Sequence, residues 1–84
     1  MKITLKLFAS LATHLPPEAR SRHRVELEVE PNVTVGDVIR RAGVPPAQCA
    51  IVLVDGVWVA ALEWESRTLA EGQALAIWPP VAGG

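Results

Sequence analysis

The sequence predicts an α+β domain: a mixed sheet of four to five strands, one main helix packed across it, and an extended C-terminal tail. Three observations carry this expectation. Residues 2 to 8 and 25 to 30 alternate apolar and polar side chains at the period of a half-buried strand. Residues 35 to 42 are the one stretch whose apolar positions recur at helical spacing between a capping residue and a glycine. The last six residues, Pro79-Pro80-Val81-Ala82-Gly83-Gly84, follow an apolar run and combine two prolines with small or absent side chains. Prolines remove backbone donors and favour an extended path, so the sheet is not expected to continue into this tail. The domain is therefore placed at 1–78 and the tail at 79–84.

The size and composition suit one small domain. At 84 residues, about 60 to 65% of the surface of the unfolded chain becomes buried on folding. Half of the residues are hydrophobic and the formal net charge is −1, which argues against disorder and against a nucleic-acid footprint. Cys49 stands alone, so an internal disulfide and a cysteine zinc cage are both excluded, and a reducing, cytoplasmic setting is expected. The opening Met1-Lys2-Ile3-Thr4 lacks the apolar core of a signal peptide, and no apolar run approaches the length of a membrane span.

Along the chain, Ile3, Leu5 and Leu7 define one face of the first strand, with Lys2, Thr4, Lys6 and Phe8 on the other. Ser10 is placed to cap a short helix carrying Leu11 and Leu15, which Pro16-Pro17 stops. Residues 17 to 23 read as a polar, exposed loop. In the second strand Val25, Leu27 and Val29 point inward, while Glu26, Glu28 and Glu30 face water. Thr34 and Asp37 form a short capping box for a helix over about 35 to 42, whose buried face is Val35, Val38, Ile39 and Ala42. Gly43 is positioned to end it in a left-handed conformation, with Val44 as the contact beyond and Arg40 and Arg41 complementing the dipole.

Ile51-Val52-Leu53-Val54 is a continuous apolar run, the pattern of a strand at an inner position or covered on both faces. Asp55-Gly56 then offers a tight hairpin turn into Val57-Trp58-Val59. Residues 60 to 73 are irregular, and Leu69-Ala70-Glu71-Gly72 reads as a turn before the last strand, Ala74 to Trp78, where Leu75 and Ile77 point inward and Trp78 outward. A helix between the second and third strands is the diagonal element of a β-grasp.

The chain offers little chemistry of its own. His14 and His23 have no acidic or thiol neighbour at ligand spacing and are read as solvent-exposed. Cys49 reads as a small buried hydrophobe. Ser10 and Ser66 have no base nearby, the Glu26, Glu28 and Glu30 row is a solvated strand face, and no glycine-rich phosphate loop is present. No active site complete within this chain is expected, and no bound cofactor or metal. The tail is different: six residues at about 3.3 Å each reach about 20 Å, enough for a slim terminus to enter a channel in another protein.

Leu5-Lys6-Leu7-Phe8-Ala9-Ser10-Leu11, Thr34-Val35-Gly36-Asp37-Val38-Ile39, Val52-Leu53-Val54-Asp55-Gly56 and above all Trp78-Pro79-Pro80-Val81-Ala82-Gly83-Gly84 resemble the ubiquitin-like sulfur carriers of the MoaD/ThiS family. The likeness is closest to the small subunit of molybdopterin synthase and runs along nearly the whole chain. Two departures are visible: Glu71-Gly72-Gln73 stands where Asp-Gly-Asp is common, and Trp78 where phenylalanine is usual. Trp58 and Trp64 match no family signature, and each reads as a partly buried packing residue.

The resemblance implies a carrier rather than an enzyme. An E1-like adenylating partner (MoeB/ThiF-like) would use ATP to convert the Gly84 carboxylate into a glycyl adenylate, and a sulfur donor protein would then leave a thiocarboxylate (1-thioglycine) on Gly84. In molybdopterin synthesis that sulfur passes to the pterin precursor in a catalytic large subunit (MoaE-like). Partner contacts are expected from Gly83, Ala82, Val81, Pro80, Trp78, Phe8 and Leu62. No nucleic acid or membrane partner is implied. The same resemblance also covers sulfur carriers for thiamine, cysteine, tRNA thiolation or a tungsten cofactor, and ubiquitin-like modifiers or interaction modules.

Overall fold

Alternation at the start of the chain produces β1 (Lys2–Leu7), the strand about which the computed structural model, describing residues 1–81, is assembled. β2 (Arg24–Glu28) pairs antiparallel with β1. The other side of β1 takes β5 (Ala74–Trp78) in parallel. β5 in turn pairs antiparallel with β3 (Ile51–Val54), and β3 with the two-residue β4 (Val57–Trp58). The order β2-β1-β5-β3-β4, with α1 (Val35–Ala42) between β2 and β3 in the chain, is the mixed β-grasp sheet that the sequence predicts.

Burial explains the alternation. Ile3, Leu5 and Leu7 of β1, Leu75 and Ile77 of β5, and Val52 and Val54 of β3 are buried together with Val35, Val38 and Ile39 of α1. Every buried side chain on the described residues is apolar. β2 contributes less, because it is an edge strand: Val25 and Leu27 are half-buried.

The helix ends where its caps place it. Thr34 Oγ1 accepts from the Asp37 N–H at 3.1 Å, and Asp37 Oδ2 accepts from the Thr34 N–H at 2.9 Å. The next orphan donors are met by the irregular segment before β5: the Val35 N–H donates to Arg67 O and the Gly36 N–H to Trp64 O, both at 2.9 Å. Trp64 is half-buried against the core, as the sequence suggests. At the far end Gly43 adopts φ 75° and the Val44 N–H reaches back to Ile39 O, a Schellman-type closure with Val44 buried beyond it.

Three expectations are corrected. Ser10 does not cap a helix: residues Ala9–His14 form a 3₁₀ turn whose N-cap position is Phe8, with no side-chain cap. Residues 17 to 23 are not an open loop, since Pro17–Arg22 form a second 3₁₀ turn that buries Ala19. β4 stops at Trp58, because Val59 turns inward, is buried, and donates to Val52 O at 2.9 Å. β3 takes the inner position that its apolar run predicts, with its outer face partly open at Ile51, which is 47% exposed.

Candidate functional site

With α1 and both 3₁₀ turns contributing to one core, the described residues put no layer on the opposite face of the sheet. Strand parity sends to this outer face Thr4 and Lys6 of β1, Ala74, Ala76 and Trp78 of β5, and Ile51 and Leu53 of β3. The register then aligns them across strands. Lys6 lies opposite Ala76, Ala76 opposite Leu53, and Leu53 opposite Trp58, while Trp78 lies opposite Ile51.

Phe8 joins this face just past the end of β1. Its N–H donates to Ile77 O at 3.1 Å, extending the parallel pairing by one bond. The side chain consequently stands beside Trp78, with ring centroids 4.4 Å apart and planes inclined by 11°. The other side of Phe8 is stacked by His23, at 5.9 Å and 16°. His23 holds φ 58°, which brings its backbone carbonyl to the Leu7 N–H at 2.9 Å and its Nδ1 to 3.3 Å from Leu7 O. His23 is therefore half-buried in a three-ring ladder, not the solvent-exposed side chain that its loop position in the sequence suggests. His14 is exposed.

The ladder stands at the root of the tail. Trp78 O, the last strand carbonyl, accepts from the Ala50 N–H at 2.9 Å, after which Pro79 is half-buried, Pro80 exposed and Val81 80% exposed. Beside this root a cleft of about 300 Å³ is lined by Lys6, Phe8, Leu53, Asp55, Gly56, Ala74, Ala76 and Trp78. Of the expected contact residues, Phe8 and Trp78 thus come together, and Pro80 and Val81 lead away from them. Leu62 stands 99% exposed on the 3₁₀ turn Ala61–Glu63 and does not line the cleft. Ala82, Gly83 and Gly84 lie outside the described residues.

The structure adds residues that motif reading passed over. Ile51, Leu53 and Ala76 complete the apolar surface around Trp78, and Trp58 is 63% exposed rather than partly buried. Trp58 is open because β4 is a two-residue edge strand with no element beyond it. The signal was available for Ile51 and Leu53, as they alternate with the buried Val52 and Val54, but it required knowing that only one face of the sheet is covered.

Among the described residues no group of His, Cys, Asp and Glu side chains could hold a metal ion. Cys49 is buried, its thiol lies 3.6 Å from Pro45 O, and burial pushes its pKa up, away from the reactive thiolate. Among the described residues no helix is long and apolar enough to cross a membrane.

Residues 5–84 match the model of the ThiS family. The chain belongs to this family. ThiS-type proteins are ubiquitin-like sulfur carriers, small chains that are generally not enzymes. Among solved structures, small archaeal modifier protein 1 from Haloferax volcanii is 30% identical over the whole of both chains, with a TM-score of 0.67. Subunit 1 of a molybdopterin converting factor from Pyrococcus furiosus shares 20% identity over 96% of this chain and 99% of that one, with a TM-score of 0.65. A chain of the complex of subunits 1 and 2 of the Helicobacter pylori molybdopterin-converting factor shares 12% identity over the whole of both chains, with a TM-score of 0.62. These last two share the fold. No curated protein matches the sequence of this ThiS-family chain.

Proposed function

We propose that this ThiS-family chain carries sulfur as a thiocarboxylate on Gly84 and delivers it to the pterin precursor of molybdopterin, acting as the small subunit of a synthase whose catalytic groups lie on a large partner. The observation that supports the reading is the sequence ending Trp78-Pro79-Pro80-Val81-Ala82-Gly83-Gly84, whose root at Trp78 is stacked on Phe8. The aromatic ladder gives the partner a rigid surface, and the tail supplies the reacting end.

The chemistry follows from the poor electrophilicity of a carboxylate. An oxygen of the Gly84 carboxylate attacks the α-phosphorus of ATP on an E1-like partner. Pyrophosphate leaves, and the acyl carbon becomes part of a mixed anhydride. A persulfide of a donor protein then attacks that carbon and AMP departs, giving an acyl disulfide; a second thiol attacks the donor's sulfur, is oxidised to a disulfide with it, and releases the thiocarboxylate. Gly83 and Gly84 have no side chains to obstruct a narrow partner channel. ATP belongs to the activating partner, so this chain needs no nucleotide site.

The test is intact mass after incubation with ATP, an E1-like enzyme and a sulfur source from the same cell. A gain of about 16 Da, sulfur replacing oxygen, is expected, and it disappears when Gly84 is deleted. Transfer of that sulfur to the pterin precursor in the presence of a large subunit completes the assignment. Absence of any adduct with the activating enzymes of its own cell would sink it.

A second reading is favoured by the 30% identity with small archaeal modifier protein 1 over the full length of both chains: the activated Gly84 is joined to amino groups of target proteins. Conjugates that vanish on Gly84 deletion, with no sulfur transfer to the pterin precursor, would select it.

A further inference from the structure

The row across the middle of the outer face runs Trp58, Leu53, Ala76, Lys6, Arg24, one residue from each of the five strands. Its first three members are apolar and its last two are cations placed directly opposite one another. Like charges facing across a strand pair destabilise a sheet, so this arrangement does not serve the fold. Arg22 lies beside Arg24 in an adjoining shallow cleft formed with Thr4, Val25 and Glu26.

The chain's other arginines behave differently. Arg20 donates to Leu15 O and Thr13 O, Arg40 to Glu65 and Asp37, Arg41 to Glu28 O, and Arg67 to Thr68 O. The side chains of Lys6, Arg22 and Arg24 make no hydrogen bond or ion pair among the described residues. Three carboxylates share the face. Glu26 lines the Arg22–Arg24 cleft without pairing there, Glu28, opposite Lys2, lies 3.3 Å from the Met1 amino group, and Asp55, at the far end of the Trp78 cleft, has Oδ1 accepting from the Ala74 N–H at 2.8 Å.

We propose that this face docks a partner-protein segment that carries carboxylates beside an apolar side chain. The apolar group seats on Ile51, Leu53, Ala76 and Trp78, and the carboxylates meet Lys6, Arg24 and Arg22. The proposal deepens the carrier reading by naming the chemistry of a docking partner, and it rests on that reading only in expecting the partner to act at Gly84.

Cations beside aromatic rings also describe a single-stranded nucleic-acid surface, but the geometry disfavours it. Strand tracking needs successive free ring faces beside the cations, whereas Phe8 is stacked by both Trp78 and His23 and the exposed Trp58 stands at the opposite end of the row from Lys6 and Arg24. A carboxylate-bearing apolar segment matches both halves of the row at once.

The probe is a synthetic peptide of alternating glutamate and leucine, titrated into the full ¹⁵N-labelled chain and compared with its lysine–leucine counterpart and with oligouridylate. The glutamate peptide is expected to move the amide resonances of Lys6, Leu53 and Ala76 and the indole resonance of Trp78. Its affinity should fall about tenfold in the Lys6→Glu/Arg24→Glu variant, and by a similar factor as sodium chloride rises from about 0.05 M to about 0.5 M. Trp58→Ala should weaken binding without changing the salt dependence. Should the double variant fail to fold, Arg24→Gln, at an exposed position, gives the same reading with a smaller effect.

No shift, equal binding of the lysine peptide, shifts confined to α1, stronger binding of oligouridylate at the same residues, or occupation of the face by a second copy of the chain would each overturn the proposal. Deleting Gly84 abolishes the mass gain of the carrier reaction and leaves peptide binding intact. Failure of the docking proposal and failure of the carrier reading are thereby told apart.

Discussion

The indole of Trp78 and the phenyl ring of Phe8 lie face to face at 4.4 Å, joining the last residue of β5 to the first residue beyond β1. The two are 70 positions apart in the chain and meet because β1 and β5 run parallel, with Leu7 opposite Ile77. The root of the tail is consequently fastened to the N-terminal strand, and the direction in which Pro79 and Pro80 leave the sheet is set by that fastening.

Phe8→Ala removes a ring held between two others. Full truncation of a core phenylalanine costs about 3–5 kcal/mol, and Phe8 is half-buried, so a loss of about 2 kcal/mol is expected in urea unfolding followed by tryptophan fluorescence. Phe8→Leu should restore part of the stability but not the native emission of Trp78.

Gly36→Ala sets two effects against each other. A Cβ at this position would collide with the Glu65 carboxylate, which is exposed and held bidentately by Arg40 at 2.7 and 2.8 Å. Alanine gains up to about 1 kcal/mol in helix propensity, while the exposed ion pair, screened by solvent, gives back little when it is lost. The variant should be as stable as the parent or more so, by at most about 1 kcal/mol. The decisive measurement is the Glu65 titration by NMR, which should move up toward the ordinary glutamate range as the carboxylate is displaced.

The same cluster produces an acid limb. The backbone hydrogen bond from Thr34, followed by the Arg40 side chain, lowers the Asp37 pKa below its ordinary 3.8, and the hydrogen bonds from Arg40 lower that of Glu65 below 4.5. Both carboxylates therefore bind protons more weakly folded than unfolded. Their contribution is fully present above these ordinary values and is lost as pH falls through the lowered ones. The urea midpoint should drop on acidification below about pH 4.5, with a shallower drop in Arg40→Gln.

Cys49 reports opening rather than chemistry. Its thiol is buried and its pKa is raised by desolvation, so labelling by a thiol reagent at neutral pH should be slow in native protein and fast in denaturant. Rapid native labelling would show that the Pro46–Gln48 turn opens independently of the sheet.

Much of the fold was legible because it depends on local rules. Thr34, Asp37 and Gly43 mark the ends of α1 through bonds spanning only three to five residues, and the bounds 35 to 42 follow. Asp55-Gly56 specifies its hairpin because both residues take positive φ, 48° and 82°, as a tight primed turn requires. The segment from 9 to 23 was misread for the opposite reason. Its two 3₁₀ turns have no strong periodicity, and Leu11, Leu15 and Ala19 are held by packing against distant strands.

By itself, then, the sequence determined the strands and helix, the buried alternate positions, and a slim diglycine ending behind an aromatic residue. These properties live in neighbours along the chain. The tertiary structure alone decided which sheet face stays uncovered, that His23 stacks on Phe8, that Trp58 is open at an edge, and that Lys6 confronts Arg24. Each depends on register between strands far apart in sequence, which pairing and burial settle together and no local pattern encodes.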